Sequence, residues 1–398
     1  MKECIYLDNN ATTKPDPEVI QSVNRTMIEV YYNPSSIYQG ALLSRGAIED
    51  ARISAAALIG AQPGEITLVS GGTEADNMAL LGGARAFSKR GKHIITSTVE
   101  HSAVYKTCLM LEKEGFDVTF IGCDEDGLIS PADFKKAIRK ETILASIMLA
   151  NNETGVIQPI AEFASLAREN NVIFHTDAVQ AAGKIRIDVK ELGVDMLSLS
   201  GHKFYGPKGT GALYIRKGVS VLPVFGGGGQ EKGLRQGTEN TPAIAGFGKA
   251  CELAKKRLEE EKDGDRIKKL RDMLENGILE NIPASYVNGS REKRLGNTLN
   301  IRIGYTEGDS LLIRLDLEGI CASAGSACAS GSVEPSRVLT AMGLSNEEAA
   351  SSIRFSIGRN NTEEEIIRAI EVIRASAEKL REVSPAWKGR VAAPGKEC

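Results

Sequence analysis

Apolar and polar residues along this chain alternate in short bursts, and the bursts are separated by stretches with helical spacing. Met196-Leu197-Ser198-Leu199 alternates and predicts a strand; Ala212-Leu213-Tyr214-Ile215 predicts another. Further strands are predicted at 5–7, 66–70, 93–98, 118–121, 144–149 and 172–180. Helical spacing fills the gaps: from Pro17 onward, over 41–60 up to Gly60, from about 72 to Arg90, after His101, from Pro131, and over 159–170. Strand and helix repeating up to about residue 200 predicts an α/β fold, a mainly parallel sheet with helices on both faces.

After residue 200 the pattern changes. Phe225-Gly226-Gly227-Gly228-Gly229-Gln230 is a flexible glycine run, followed by a long Lys-, Glu- and Leu-rich helical stretch over about 241–280. Strands at 296–303 and 351–357, with helices near 307–316 and 362–382, predict a smaller α+β domain. The tail beyond Pro385 is polar and is expected to be poorly ordered.

Composition narrows the function classes. The chain has 398 residues, 42% hydrophobic and 25% charged, which suits a large core and two domains rather than disorder. A net charge of -3 gives no electrostatic case for nucleic acid, and no apolar run is long enough for a membrane span. Seven scattered cysteines without a CxxC pair, and no signal peptide, point to reduced thiols and a cytoplasmic protein.

The candidate chemistry gathers where predicted strands end. Ser200-Gly201-His202-Lys203 joins two strands, placing a hydroxyl and an imidazole just before an amine. A desolvated lysine has a lowered pKa and serves as a Schiff-base nucleophile, and the hydroxyl and imidazole are natural phosphate donors. The set suggests an aldehyde-bearing phosphate cofactor, pyridoxal phosphate. Gly71-Gly72-Thr73 turns a strand into a helix and can aim N–H groups at an anion. His101 stands at another strand-to-helix turn, where a flat imidazole could stack on a pyridine ring. Asn151-Asn152 ends a third strand with amide donors. Asp177 ends a fourth, buried strand and needs a cationic partner, such as a protonated pyridine nitrogen. Arg354 lies on a strand of the smaller domain and reads as a carboxylate clamp. The eleven consecutive small residues Ala322–Ser332 carry one thiol, Cys328, on a segment that reads as a loop able to move; Cys321 reads as structural and His93 as an ordinary surface residue.

Leu7–Thr13, Gly72–Glu74, Val99–His101, Asn151–Gly155, His175–Gln180, Ser200–Lys203, Gly237–Asn240 and Gly325–Cys328 occur in that order. Together they resemble the group I cysteine desulfurases of the NifS and IscS kind, fold-type I enzymes of the class-V aminotransferase family. The likeness runs over about residues 5–384, and the Val383–Trp387 ending is more similar to the nitrogen-fixation branch. It departs at Tyr38 and Gly229, where many relatives carry histidine.

The resemblance implies a large cofactor-binding domain with a seven-stranded, mainly parallel sheet over 16–255. It implies a smaller domain over 256–398 that also takes in residues 1–15. It implies that Lys203 holds pyridoxal 5'-phosphate covalently, Asp177 keeps the pyridine nitrogen protonated, His101 stacks on the ring, and Gln180 bonds the phenolic oxygen. Gly72, Thr73, Ser200 and His202 would hold the phosphate, with Thr238 reaching in from the second subunit of a homodimer with shared active sites. Asn152 and Arg354 would bind the carboxylate of L-cysteine. Cys328 would take its sulfur as a persulfide, leaving L-alanine, for delivery to a NifU/IscU-like iron–sulfur scaffold protein. Three other readings compete: a selenocysteine lyase, which acts without Cys328; an aminotransferase; and a non-catalytic scaffold.

Overall fold

A computed structural model describes residues 4–260, 262–324, 335–385 and 387–388. Its centre is a seven-stranded sheet in the spatial order Ile66–Val69, Gly211–Ile215, Met196–Ser200, Ile173–Asp177, Thr142–Ser146, His93–Ser97, Asp117–Ile121. Gly211–Ile215 alone runs antiparallel to its neighbours. Only ten residues separate it from the preceding strand, too few for a crossover back to the same end.

Every residue of four of these strands is buried, because helices cover both faces. Phe134, Phe163, Phe174, Leu197 and Tyr214 pack on one face; Met78, Leu80, Ile94, Leu144, Met196 and Leu213 pack on the other. Alternation along single strands sorts Met196 from Leu197 and Leu213 from Tyr214.

The helices begin and end where local chemistry dictates. Pro17–Glu29 starts behind Asp16, whose side chain accepts from the Glu18 N–H at 2.9 Å. Gln39–Ile59 stops at Gly60, which takes φ 71°, a conformation that costs glycine little. The helix opened by Gly72–Asn77 passes through a π-helical segment, Met78–Gly82, into Gly83–Phe87. The sequence predicts a long helical stretch over about 241–280; helix is described over Thr241–Glu260 and Lys262–Asn281, on either side of residue 261, which lies outside the described residues.

A four-stranded sheet in the order Ser323–Ala324, Ser352–Ser356, Thr298–Ile303, Ser285–Val287 packs on Lys262–Asn281, Gly308–Leu317 and Glu363–Val383. Leu274, Leu299, Leu311, Phe355 and Ile373 fill its core. The amino-terminal strand Ile5–Tyr6 joins this part of the molecule: it pairs in parallel with Ile320–Cys321, and Asp8 bridges to Ser356.

His93 corrects an expectation. It is 2% exposed; its ring nitrogens bond the Thr142 hydroxyl at 2.7 Å and the Thr119 hydroxyl at 2.9 Å, from the strands on either side. Burial holds its pKa below the ordinary value, so the ring is a neutral strut between strands. No helix among the described residues is long and apolar enough to cross a membrane.

Candidate active site

The parallel strands His93–Ser97, Thr142–Ser146, Ile173–Asp177 and Met196–Ser200 end at one edge of the sheet, where α/β proteins place ligands. The chain leaving each strand supplies one wall of a cleft of about 650 Å³. Gly72, Thr73, His101, Asn152, Asp177, Gln180, Ser200, His202, Lys203 and Arg354 all line it.

Lys203 closes a single 3-10 turn, Gly201–Lys203, at the end of its strand. Its ammonium donates to the Asn10 carbonyl at 2.7 Å and the Ala11 carbonyl at 2.8 Å. Those carbonyls belong to the amino-terminal segment, which therefore forms part of the site. Beside them, buried Lys184 donates to Asn10 Oδ1 at 3.0 Å and Gln180 Oε1 at 2.8 Å. Burial holds Lys184 far below the usual lysine range, with Lys203 and Arg354 adding to the effect.

His101 is both a cap and a site residue. Its Nδ1 accepts from the Ala103 N–H at 3.1 Å, which puts the proton of the neutral ring on Nε2. Burial, then the charges of Lys203 and Arg337, push its pKa down to about 4. Asp177 accepts from the Val179 N–H at 2.9 Å; burial raises its pKa to about 6, and Lys203 pulls against that rise. His202 bonds the Thr12 hydroxyl at 3.1 Å and is held neutral, at about 4, chiefly by burial.

The residues fit pyridoxal phosphate. A Cβ on Gly72 would stand 2.6 Å from Val179 Cγ2, so the backbone there comes closer than any other residue allows. Gly72, Thr73, Ser200 and His202 offer N–H, hydroxyl and imidazole donors to an anion. Asp177 faces a ring cation, and His101 offers a flat neutral surface. Asn152 Oδ1 is buried in the cleft without a hydrogen-bond partner, a sign of a polar group that waits for a ligand.

Arg354 is 3% exposed and donates to the Asn152 carbonyl at 2.9 Å and to Asp8 at 2.8 Å, while its Nε has no partner. Arg354→Lys keeps a charge and loses the planar fork. The KM for an amino-acid substrate is expected to rise roughly tenfold to a hundredfold with a smaller change in kcat, read by steady-state kinetics.

One sequence-derived residue is not brought into the cleft, and one lies outside the described residues. Thr238 is exposed and does not line it. Cys328 lies outside the described residues, as does the rest of 325–334. The chain resumes at the cleft wall: Ser336 donates to Glu153 at 2.5 Å, and Arg337 bonds the carbonyls of Thr98 and Glu100 and lies 3.9 Å over the Tyr105 ring.

Sequence reading missed Asp76, Glu100, Glu153, Lys184 and Arg337, all in or beside the cleft. Asp76 stands four residues after Gly72 and so shares its helix face, the one signal available in the letters. Burial pushes Glu100 up to about 8 and Glu153 up to about 7.

These shifts fix the sign of a pH dependence. The unfolded chain loses the Glu100 proton near 4.5 and the folded one near 8, so stability falls as pH rises across that window, with Asp76 and Glu153 acting the same way. His101 and His175, lowered to about 4 and about 3, act oppositely, but their effect is complete once pH passes about 6.5. The carboxyl contribution to the apoprotein's melting temperature is therefore expected to decline between about pH 6.5 and pH 8, against an opposite contribution from Lys184, which is held far below the usual lysine range. Glu100→Gln should shrink that decline, measured by circular dichroism; an unchanged slope would mean that Glu100 ionises in its ordinary range.

Comparison with known proteins shows the family. The aminotransferase class-V family matches residues 5–368. The cysteine desulfurase IscS of Methanosarcina thermophila is 51% identical over 383 residues, covering 96% of this chain and 94% of that protein. A solved NifS-like protein superposes with a TM-score of 0.88 at 36% identity, over 96% of this chain and 100% of that one. A structure of SspA in complex with cysteine superposes with a TM-score of 0.79 at 38% identity, over 90% of this chain and 100% of that one.

Proposed function

The chain belongs to the class-V aminotransferase family and is a pyridoxal-phosphate-dependent cysteine desulfurase, and from that premise we propose how its residues divide the work. The observation that carries the assignment is the convergence of Lys203, Asp177 and His101 on one cleft with Gly72, Thr73, Ser200 and His202.

Lys203 would hold the cofactor covalently, Asp177 would serve its ring nitrogen and Gln180 its phenolic oxygen. Gly72, Thr73, Ser200 and His202 would take the phosphate, and His101 would serve the ring. When bound, pyridoxal phosphate supplies an electron sink that makes the substrate's α-proton acidic. The residues do the rest. Arg354 and Asn152 orient the carboxylate of L-cysteine. The Lys203 amine, within reach of the Asn10 and Ala11 carbonyls, is the base for the α-proton. His101, neutral with its proton on Nε2, can hand a proton on without first losing one. The Cys328 thiolate attacks the substrate sulfur: an S–S bond forms at Cys328, the substrate C–S bond breaks, and the carbon skeleton takes up a proton and leaves as L-alanine.

Two further parts of the reading concern partners. Exposed Thr238 and the apolar surface of Met27, Ile28, Tyr31, Leu42 and Leu43 support a homodimer in which Thr238 serves the second subunit's cleft. The persulfide sulfur goes to a NifU/IscU-like iron–sulfur scaffold protein, in keeping with the IscS name of the curated relatives.

Purified holoenzyme given L-cysteine and dithiothreitol is expected to release alanine and sulfide in equal amounts. A yellow protein that retains its cofactor and makes neither would overturn the substrate. Amino transfer to a keto acid would restore the aminotransferase reading.

A further inference from the structure

Asp177 is not the only aspartate in the cleft. Asp76 lines the same cleft, is 1% exposed, and its Oδ1 has no hydrogen-bond partner. One side-chain ligand atom from each of Asp76, His101 and Asp177 lies within 4.8 Å of the other two. Such a trio could be read as a cation site, but Asp177 is engaged toward the cofactor's ring nitrogen in the function proposed above.

Behind Asp76 the structure is polar yet uncharged. His175 is fully buried; its ring nitrogens bond the Ser146 hydroxyl at 2.8 Å and the Ser198 hydroxyl at 2.9 Å. The Ser198 hydroxyl lies near enough to Asp76 to favour its charged form a little, against burial and Asp177. The His175 ring stands 3.7 Å from Asp76 Oδ1, too far for a hydrogen bond. Burial keeps that ring neutral, at about 3. Among the described residues Asp76 therefore has no cation beside it, while Asp177 and, more weakly, Glu100 press on it with like charge.

Carboxyls this close in a buried site do not all ionise. Asp177 has what favours the charged form: the Val179 N–H and the amine of Lys203. Asp76 has neither. We propose that Asp76 is a positioning residue that stays protonated and directs its hydrogen bond toward Asp177, so that the one negative charge of the pair rests where the cofactor's ring nitrogen meets it. Burial and Asp177 push Asp76 well above the carboxylate range, in the same direction. The inference rests on the cofactor assignment and not on the substrate.

The test uses Asp76→Asn, Asp76→Leu and Asp177→Asn. Infrared difference spectra of apoprotein at neutral pH, wild type minus Asp76→Asn, should show the carbonyl band of a protonated carboxyl; a carboxylate band there overturns the proposal. In holoprotein, Asp76→Asn, a neutral hydrogen-bonding isostere, should keep the cofactor's visible absorption and its pH profile, with cofactor affinity within about threefold. Asp76→Leu should shift that absorption and weaken cofactor affinity about tenfold or more, the scale of one lost hydrogen bond to a charged group. Asp76→Asn behaving like Asp177→Asn would put the charge on Asp76 and overturn the proposal. So would a folded Asp76→Leu with unchanged absorption and affinity. Should Asp76→Leu fail to fold, the infrared difference still decides. No arm reads sulfur transfer, so a wrong substrate assignment would leave these outcomes unchanged.

Discussion

Cys328→Ala is expected to abolish persulfide and sulfide formation while the protein keeps its cofactor and its fold. Without a nucleophile to receive it, the substrate sulfur has no route off the carbon, and alanine production should fall by roughly three orders of magnitude or more. Mass spectrometry of wild-type enzyme after brief exposure to L-cysteine should show one added sulfur on the peptide containing Cys328, and none in the variant. The chain just beyond that segment is fixed at the cleft: Ser336 is bonded to Glu153, and Arg337 to the carbonyls flanking the approach to His101. A variant that still acts on selenocysteine at the wild-type rate would move the assignment to a selenocysteine lyase.

Lys203→Ala is expected to have an effect of similar size through a different defect. The variant loses the covalent attachment and the base together. Alanine formation should fall by about 10²–10⁴-fold from the missing proton transfer alone, and further from weaker cofactor retention. Borohydride reduction should fix the cofactor to the peptide bearing Lys203 in wild type and to no peptide in the variant. Retention of a reducible linkage in Lys203→Ala would point to another amine beside the cleft, such as Lys184, which bonds Gln180.

Much of this site is legible in the letters because parallel strands must end somewhere. Asp177, Asn152 and Ser200 interrupt apolar runs at places where a buried strand stops, and polar residues there need partners. The helix-start glycine Gly72 and the amine of Lys203 read the same way. The sheet is legible too, except for strand direction: alternation around Gly211–Ile215 is the same whichever way a strand runs. His93 misleads because its partners, Thr119 and Thr142, sit on strands distant in sequence. Asp76 hides in an alanine-rich helix where periodicity cannot say which wall it meets. The acceptors for Lys203 are backbone carbonyls of Asn10 and Ala11, and no side-chain letter records them. Thr238 gains a role only with a second subunit.

The way the amino-terminal segment is held has a consequence for the chain's synthesis. Asp8 bonds Arg354 across 346 residues, and Asn9 bonds the Ser356 carbonyl across 347. A growing chain can assemble the seven-stranded sheet, Lys203 included, long before either partner leaves the ribosome. Until then Asn10 and Ala11 are held from one side only, through Gln180, Lys184 and the Lys203 amine itself. The other side of the cleft comes with the strand Ser352–Ser356, made late. A chain that ends before Arg354 can fold its sheet yet lacks one side of the cofactor's seat.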